Sequence, residues 1–414
     1  MNKLDWKKIG IIAMIIISAI LMGLMIYYFF WRTLFAPMIN QPVVNNANIN
    51  GLPPTGNINV NGRIFVNVNG QLIPAENIPT TPTTTPPITI VTSTAPGESQ
   101  AITKETSFFT TTNSKGEVIY YNPDTGKFNI LGTDGKLTAF SDKIFHNVQS
   151  VTWGNTKNRA VLTYPDGSTI MYDFTTDKQI TLPSHWTDFS FSLRDDQIVF
   201  KSIALDKENR FLAIANYDGT QAKSIEDIGG VEDKFQSAWS PNNQVIATFS
   251  EGRDAGRSNV YFVGQNHENF KLMIVEGRDF RGQWSPDGSK VLYSVYDPSN
   301  NFQPTLWVAD ASTDSIGNNR QALGINTWGN KCTFGDADHV YCSVPQNLPY
   351  GAGLQPNIAD GLPESIYQIN LKTGAENMVA NPNTTIGQMS VSPDGKTIFY
   401  TNTTDNRVYK VTLP

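Results

Sequence analysis

The stretch Gln283–Val295, QWSPDGSKVLYSV, opens with an apolar anchor, turns through Ser-Pro-Asp-Gly, and then alternates bulky apolar with small or polar residues. Pro286 presets φ for a turn, Asp287 can accept a bond from the backbone two residues on, and Gly288 takes positive φ without steric cost. The flanks have the period of two and the β-branched or aromatic content of strands. The stretch is a strand–turn–strand unit, and it recurs. With Trp284 as the anchor, equivalents fall at Thr112, Trp153, Phe191, Trp239, Phe334 and Val391, with turns TNSKG, WGNTK, FSLRD, WSPNN, FGDAD and VSPDG. Each is followed by an apolar run, among them EVIYYN, RAVLTY and QVIATFS, then by a third strand such as RFLAIANYD or TLWVADAS. A fourth often follows, such as KQITLP or FKLMIVE. Successive anchors lie about 38 to 57 residues apart, the period of four-stranded propeller blades rather than of helical repeats.

The expected fold is therefore all-β: a β-propeller over residues 101–414, with seven blades, six or eight remaining open because the first repeat is weak. No segment after residue 36 sustains helical periodicity. The last repeat reaches only its third strand before Pro414. An open sheet edge invites mispairing, so a ring must close, and a strand from upstream should complete the last sheet. Pro87–Thr94 and Ile102–Phe109 are the candidates.

The front of the chain is of another kind. Residues 1–8 carry Lys3, Lys7 and Lys8 against Asp5, and Ile9–Trp31 holds no charge. That run is long enough to cross a bilayer, at roughly 20 residues per span. Tyr27, Tyr28 and Trp31 stand at its far end, where amphipathic rings prefer the interface. A cleaved signal peptide is the competing reading, but no small-x-small cleavage site follows before Pro37. The lysines before the span place the N-terminus in the cytoplasm and the propeller outside. Ala19 and Gly23 form a small-xxx-small pair that is either a helix-packing face or lipid-facing filler. Residues 32–100, rich in Asn, Pro and Thr, are expected to be an extended or disordered linker. Within it Arg63–Ile73, RIFVNVNGQLI, alternates around an Asn-Gly turn signal and reads as a small hairpin or a strand lent to a neighbour.

The Trp-Ser-Pro-Asp-Gly unit with its following strand resembles the WD-like propeller repeat of the TolB β-propeller family. WSPDGSKVLYS and VSPDGKTIFYT match best, and WSPNNQVIATFS is third. The resemblance covers about residues 105 to 414, and blades one to three depart from it by lacking the Ser-Pro-Asp-Gly turn. It implies a fold and a tendency to bind peptides or partner proteins at the mouth of the ring. It implies no particular reaction.

The net charge of −6 with 16% charged residues argues against a sequence-independent grip on nucleic acid, which needs a basic face. Two cysteines and four histidines do not furnish a cysteine-rich structural zinc site, and no metal or cofactor is expected. Cys332 and Cys342 fall opposite each other in the hairpin CTFGDADHVYC, as a disulfide or as two buried free thiols. Ligands in propellers generally meet the face formed by loops leading into each innermost strand and loops between second and third strands. The first kind offers His146, His185, Trp186, Asp188, Asp233, Lys234, Arg278, Asp279, Arg281 and Trp328. The second offers Glu251, Arg253, Asp254 and Arg257, then Asp297 and Asn300. The long insert from Pro345 to Ser365 adds Tyr350. Exposed aromatics beside arginines and carboxylates suit a peptide or a glycan, through stacking and bidentate bonds. No catalytic residue is singled out: G-x-S-x-G, HExxH and P-loop motifs are all missing. The expectation is a membrane-anchored, extracytoplasmic binding or scaffolding module for an envelope protein, peptide or glycan. The alternative is a propeller lyase or glycosidase with His146 and His185 flanking Asp188, and a purely structural spacer is the third reading.

Overall fold

The computed structural model describes residues 97–413, Met22 and three short upstream strands. The chain divides into two units, Met1–Ile88 and Thr89–Pro414. In the first, strands Asn57–Val60, Arg63–Val68 and Gln71–Pro74 form an antiparallel sheet in that order. The pairs Val60↔Arg63 and Val68↔Gln71 leave two-residue connections, both Asn-Gly in sequence, the dipeptide that favours tight hairpins. The strand ahead of the expected hairpin escaped the sequence reading. Apart from Met22, the run Ile9–Trp31 lies outside the described residues, as do Pro87–Thr94 and most of the linker. Among the described residues no helix is long and apolar enough to cross a membrane.

The second unit is seven antiparallel four-stranded sheets. Blade 1 is Phe108–Thr112, Val118–Asn122, Lys127–Leu131 and Leu137–Ala139, and blade 2 is Ser150–Trp153, Arg159–Thr163, Thr169–Asp173 and Lys178–Leu182. Blade 3 is Trp186–Phe191, Gln197–Ser202, Phe211–Asn216 and Lys223–Asp227, and blade 4 is Phe235–Ser237, Ala247–Gly252, Ser258–Val263 and Met273–Val275. Blade 5 is Arg278–Trp284, Lys290–Tyr296, Pro304–Asp310 and Gln321–Ala322, and blade 6 is Cys332–Phe334, His339–Pro345, Glu364–Asn370 and Glu376–Thr384. Blade 7 is Ile386–Val391, Thr397–Asn402 and Arg407–Thr412, completed by Ser99–Ala101. Upstream closure is thus present, but by a different segment from either candidate: three residues lying between them. Phe108 and Phe109, assigned above to a closing strand, instead begin blade 1.

The first strands of blades 2 and 3, 3 and 4, 6 and 7, and 7 and 1 touch one another, so the first strands are innermost. Buried clusters lie between successive sheets. One joins Phe128 and Tyr121 to Leu162 and Tyr172, the next joins Met171 to Phe191 and Phe200, and another joins Leu212 to Trp239 and Ile246. Each sheet therefore buries its faces against its neighbours, as a ring of blades requires.

The turn chemistry read from Gln283–Val295 is visible atom by atom. Gly288 sits at φ 70°, its N–H donates to Ser285 O at 2.8 Å, and Ser285 Oγ accepts Lys290 N–H at 2.9 Å. Burial would raise the Asp287 carboxyl, but bonds from Ser285 Oγ, Ser289 N–H and Ser289 Oγ outweigh it and hold the group at about 2. Divergent blades reach the same shape by other means. Asn243 and Asp195 take the positive φ of the glycine, where Asn and Asp are tolerated. Blade 2 has no serine in its turn; its Asn155 and Thr156 N–H groups donate to Asp195 of blade 3 at 2.6 and 2.8 Å.

Cys332 and Cys342 are directly paired residues of blade 6, and they form a disulfide. Of the two alternatives this is the oxidised one. The enclosed loop is short, with a sequence separation of 10, which in the chain-entropy treatment contributes about 2–3 kcal/mol. Reduction, or Cys332→Ser with Cys342→Ser, is expected to lower the unfolding free energy by that much, seen as a lower urea midpoint, and to leave the circular dichroism spectrum unchanged. An unaltered midpoint would show that the bond does nothing for stability.

Candidate functional site

Antiparallel order puts the fourth-to-first and second-to-third loops on one face, the mouth of the ring. Between blades 4 and 5 that face is indented by a cleft of about 230 Å³. It gathers five of the residues expected there: Asp233, Lys234, Glu251, Arg278 and Asp279, over Phe235 and Phe280. Local structure explains their placing. Asp233 and Lys234 lie on a single 3-10 turn, Glu232–Lys234, that delivers the chain into blade 4. The innermost strand of blade 5 shifts register between Arg278 and Arg281, and Asp279 sits there at φ 57°. A bulge of this kind re-aims a side chain and is frequent at functional rims. Arg278 donates to Asp254 O across Gly252, where a Cβ would fall 1.7 Å from the guanidinium. Only glycine lets that guanidinium lie against the backbone.

The charges of this face are largely paired with each other. Arg281 donates Nε to Asp279 Oδ2 at 2.8 Å, and its Nη2 lies 2.8 Å from the same oxygen. Arg257 Nε donates to Asp254 Oδ2 at 2.8 Å and holds that carboxyl below its usual range. Arg253 reaches Asn259 Oδ1 at 3.4 Å. Asp188, another positive-φ residue at a bulge, is 2.9 Å from Lys201 Nζ and accepts Ser237 N–H at 2.9 Å. Its carboxylate is thus committed to blades 3 and 4. His146 and His185 are exposed, and neither lines the cleft.

Two expected platforms are corrected. Trp186 is only 8% exposed, with its ring centre 3.7 Å from that of Phe200, because the strand alternation turns it into the interface with blade 2. Trp328 is 6% exposed and packs with Ala352 and Ala359, flanked by Leu348 and Leu362. The insert at 345–365 is thus a folded flap over Trp328. It is tied to blade 5 by Gly351 N–H to Asn301 O at 2.9 Å and Gly353 N–H to Phe302 O at 2.7 Å. Tyr350 is exposed on it, its ring edge-on to Phe302.

Sequence reading missed Gln236 and Gln283. The Gln236 amide donates to Gly282 O at 3.0 Å, and that of Gln283 to Gly329 O at 2.8 Å and Cys332 O at 3.2 Å, stitching the innermost strands of blades 4 and 5 to the next blade. For Gln236 the distance from the anchor was a usable signal, since Asp188, Arg281 and Lys331, which also stand three residues before their anchors, are all polar; Gln283 stands directly before Trp284. Among the described residues no group of three or more His, Cys, Asp or Glu side chains is arranged to hold a metal ion.

No protein-family model matches the chain, and no curated protein matches it. The solved structures do. The chain is similar to the β-propeller domain of Cps50 (Swd1) from Myceliophteria thermophila, at TM-score 0.51 and 11% identity, over 77% of this chain and 100% of that one. The likeness is one of fold. An oligogalacturonate lyase from Vibrio parahaemolyticus is a looser likeness, at TM-score 0.49 and 10% identity, covering 76% of this chain and 93% of that one. TolB from Acinetobacter baumannii gives 0.41 and 14%, over 63% and 62%. The WD-like propeller resemblance read from the repeated turns is borne out at the level of fold.

Proposed function

We propose that the chain is a propeller held outside the cytoplasmic membrane by its apolar segment at residues 9–31, and that it captures a protein or peptide at the mouth cleft between blades 4 and 5. The observation that carries this reading is the cleft's composition. Both signs of charge stand around an aromatic floor, and neighbouring acids and bases are spent on one another rather than on a poised proton-transfer pair. Such a surface discriminates partners by charge complementarity and leaves room for backbone contact. The uncharged run with lysines before it supports the anchor.

A photo-crosslinker placed at Lys234 in the full chain, expressed in its own host, tests both parts. A discrete adduct is expected in the membrane fraction. Arg278→Glu should weaken it about tenfold, the effect of breaking one charged contact, while Lys396→Glu in the turn of blade 7 should not. Removal of residues 1–31 should move the protein to the soluble fraction. An adduct indifferent to Arg278→Glu overturns the cleft assignment, and a membrane pellet retained without residues 1–31 overturns the anchor.

A further inference from the structure

Blade 4 is incomplete on its outer side. Its third strand, Ser258–Val263, pairs with the fourth only from Ser258 to Val260, because the fourth, Met273–Val275, is three residues long. Where the pairing stops, a groove of about 470 Å³ opens beside Tyr261, Phe262, Val263 and Gly264. Its aromatic wall is a cross-strand row. Phe235, Phe249 and Tyr261 are directly opposed on three adjacent strands, with ring centres 4.7 and 5.7 Å apart. Tyr261, the outermost, is 37% exposed.

Glu226 reaches the groove from blade 3, Glu251 from the second strand of blade 4, and Glu268 from the loop that closes its end beside Phe270. No lysine or arginine lines it. Glu251 accepts the Tyr261 hydroxyl at 2.9 Å, and Glu268 accepts Asn266 N–H at 2.9 Å. Glu226 lies 3.9 Å from His267 Nδ1. Among the described residues none of the three is paired with a lysine or arginine. The mouth cleft mixes its charges; this groove presents one sign over ring faces.

We propose that the groove takes the lysine or arginine side chain of an extended segment of a partner protein, whose backbone adds to the unpaired edge at Tyr261–Val263. A cation is attracted to aromatic ring faces, and a guanidinium binds carboxylates through two parallel bonds. Strand addition to a sheet edge supplies main-chain bonds, while the side-chain pocket supplies choice of sequence. Alternate residues of an added strand point to one face, so one basic residue enters the groove and its neighbours face outward.

The test uses the full chain in detergent and fluorescence anisotropy of two labelled probes, acetyl-Thr-Val-Arg-Val-Thr-amide and its Glu-for-Arg counterpart. The Arg probe should bind at least about tenfold tighter than the Glu probe, and Glu226→Gln with Glu268→Gln should weaken it about tenfold, as loss of charge-assisted bonds does. Tyr261→Ser should weaken it as well. Both glutamates are exposed, so melting of the double variant should match the parent. Equal affinity for the two probes, no binding of the Arg probe, or an unchanged affinity in the double variant overturns the proposal. Neither Glu226 nor Glu268 lines the mouth cleft, so failure here is distinguishable from failure of the cleft reading.

Discussion

A chain shortened to begin at Thr103 will lose its cooperative melt, whereas one beginning at Gly97 will melt with the same midpoint as the full propeller. The difference is six residues, Gly97 to Ile102, and they contain the fourth strand of blade 7, Ser99–Ala101. Ser99, Gln100 and Ala101 pair with Val411, Lys410 and Tyr409, and Gly97 N–H donates to Thr412 O at 3.0 Å. Ser99 Oγ also meets the hydroxyl of Tyr400, a ring buried to 1% exposure whose phenol burial pushes up to about 12, so it is neutral at ordinary pH. At about 1 kcal/mol net for each bond lost, the direct cost is on the order of 4 kcal/mol. A domain's whole margin is about 5–15 kcal/mol. The indirect cost is larger still, because the outer edge of Arg407–Thr412 would stand open to mispairing. Downstream bonds, such as Val408 N–H to Thr103 Oγ1 at 2.9 Å and Thr401 Oγ1 to Thr110 Oγ1 at 2.9 Å, bridge the ends of the chain but cannot replace a missing strand. Urea melts of the two shortened chains decide the matter. Coincident melts would mean that the ring does not depend on its closing strand.

That closing strand shows where a sequence stops being legible. Ser-Gln-Ala has no alternating apolar pattern, since a three-residue outermost strand buries little and is defined by its backbone partners. The composition change near residue 100 falls inside it for the same reason. The innermost strands were readable because their anchors must pack between blades. Trp153, Trp239 and Trp284 each place an indole N–H on a specific acceptor: Phe109 O at 2.8 Å, Asn243 Oδ1 at 2.9 Å and Ala238 O at 3.0 Å. Blades without the Ser-Pro-Asp-Gly turn were harder, because their geometry is supplied partly by other blades. Asp195 completing the turn of blade 2 is the plainest case, and no local pattern in WGNTK announces it. The mouth was legible as a set of loops but not as a set of exposures. Trp186 and Trp328 look alike in sequence to solvent-facing rings, yet alternation buries one and a folded insert covers the other. The outer groove left no repeat signal at all, since it arises from a strand that is too short.

Lys331 and Glu364 illustrate a dependence of a different kind, and Lys331→Met is expected to cost about 3–5 kcal/mol, the range for removing one partner of a buried pair. Glu364 opens the third strand of blade 6 where the flap returns, and its side chain is 2% exposed. One carboxylate oxygen lies 3.0 Å from Lys331 Nζ, and the other accepts Ile386 N–H at 2.8 Å. Lys331 Nζ also donates to Ile386 O at 2.6 Å. The pair therefore clasps the first residue of blade 7 from both sides of its backbone and locks two blades and the flap together. Without the ammonium, the carboxylate keeps one backbone donor and no compensating charge. Glu364→Gln alone should cost less, because an amide still accepts from Ile386 and leaves no buried negative charge, although Lys331 then loses its counter-charge. In the double variant, Lys331→Met with Glu364→Gln, neither charge is left over, and stability should return above that of Lys331→Met by more than about 1 kcal/mol, the mark of directly coupled residues. Additive losses in that cycle would mean that the two side chains hold blade 7 independently, and a Lys331→Met chain as stable as its parent would mean that they do not hold it at all.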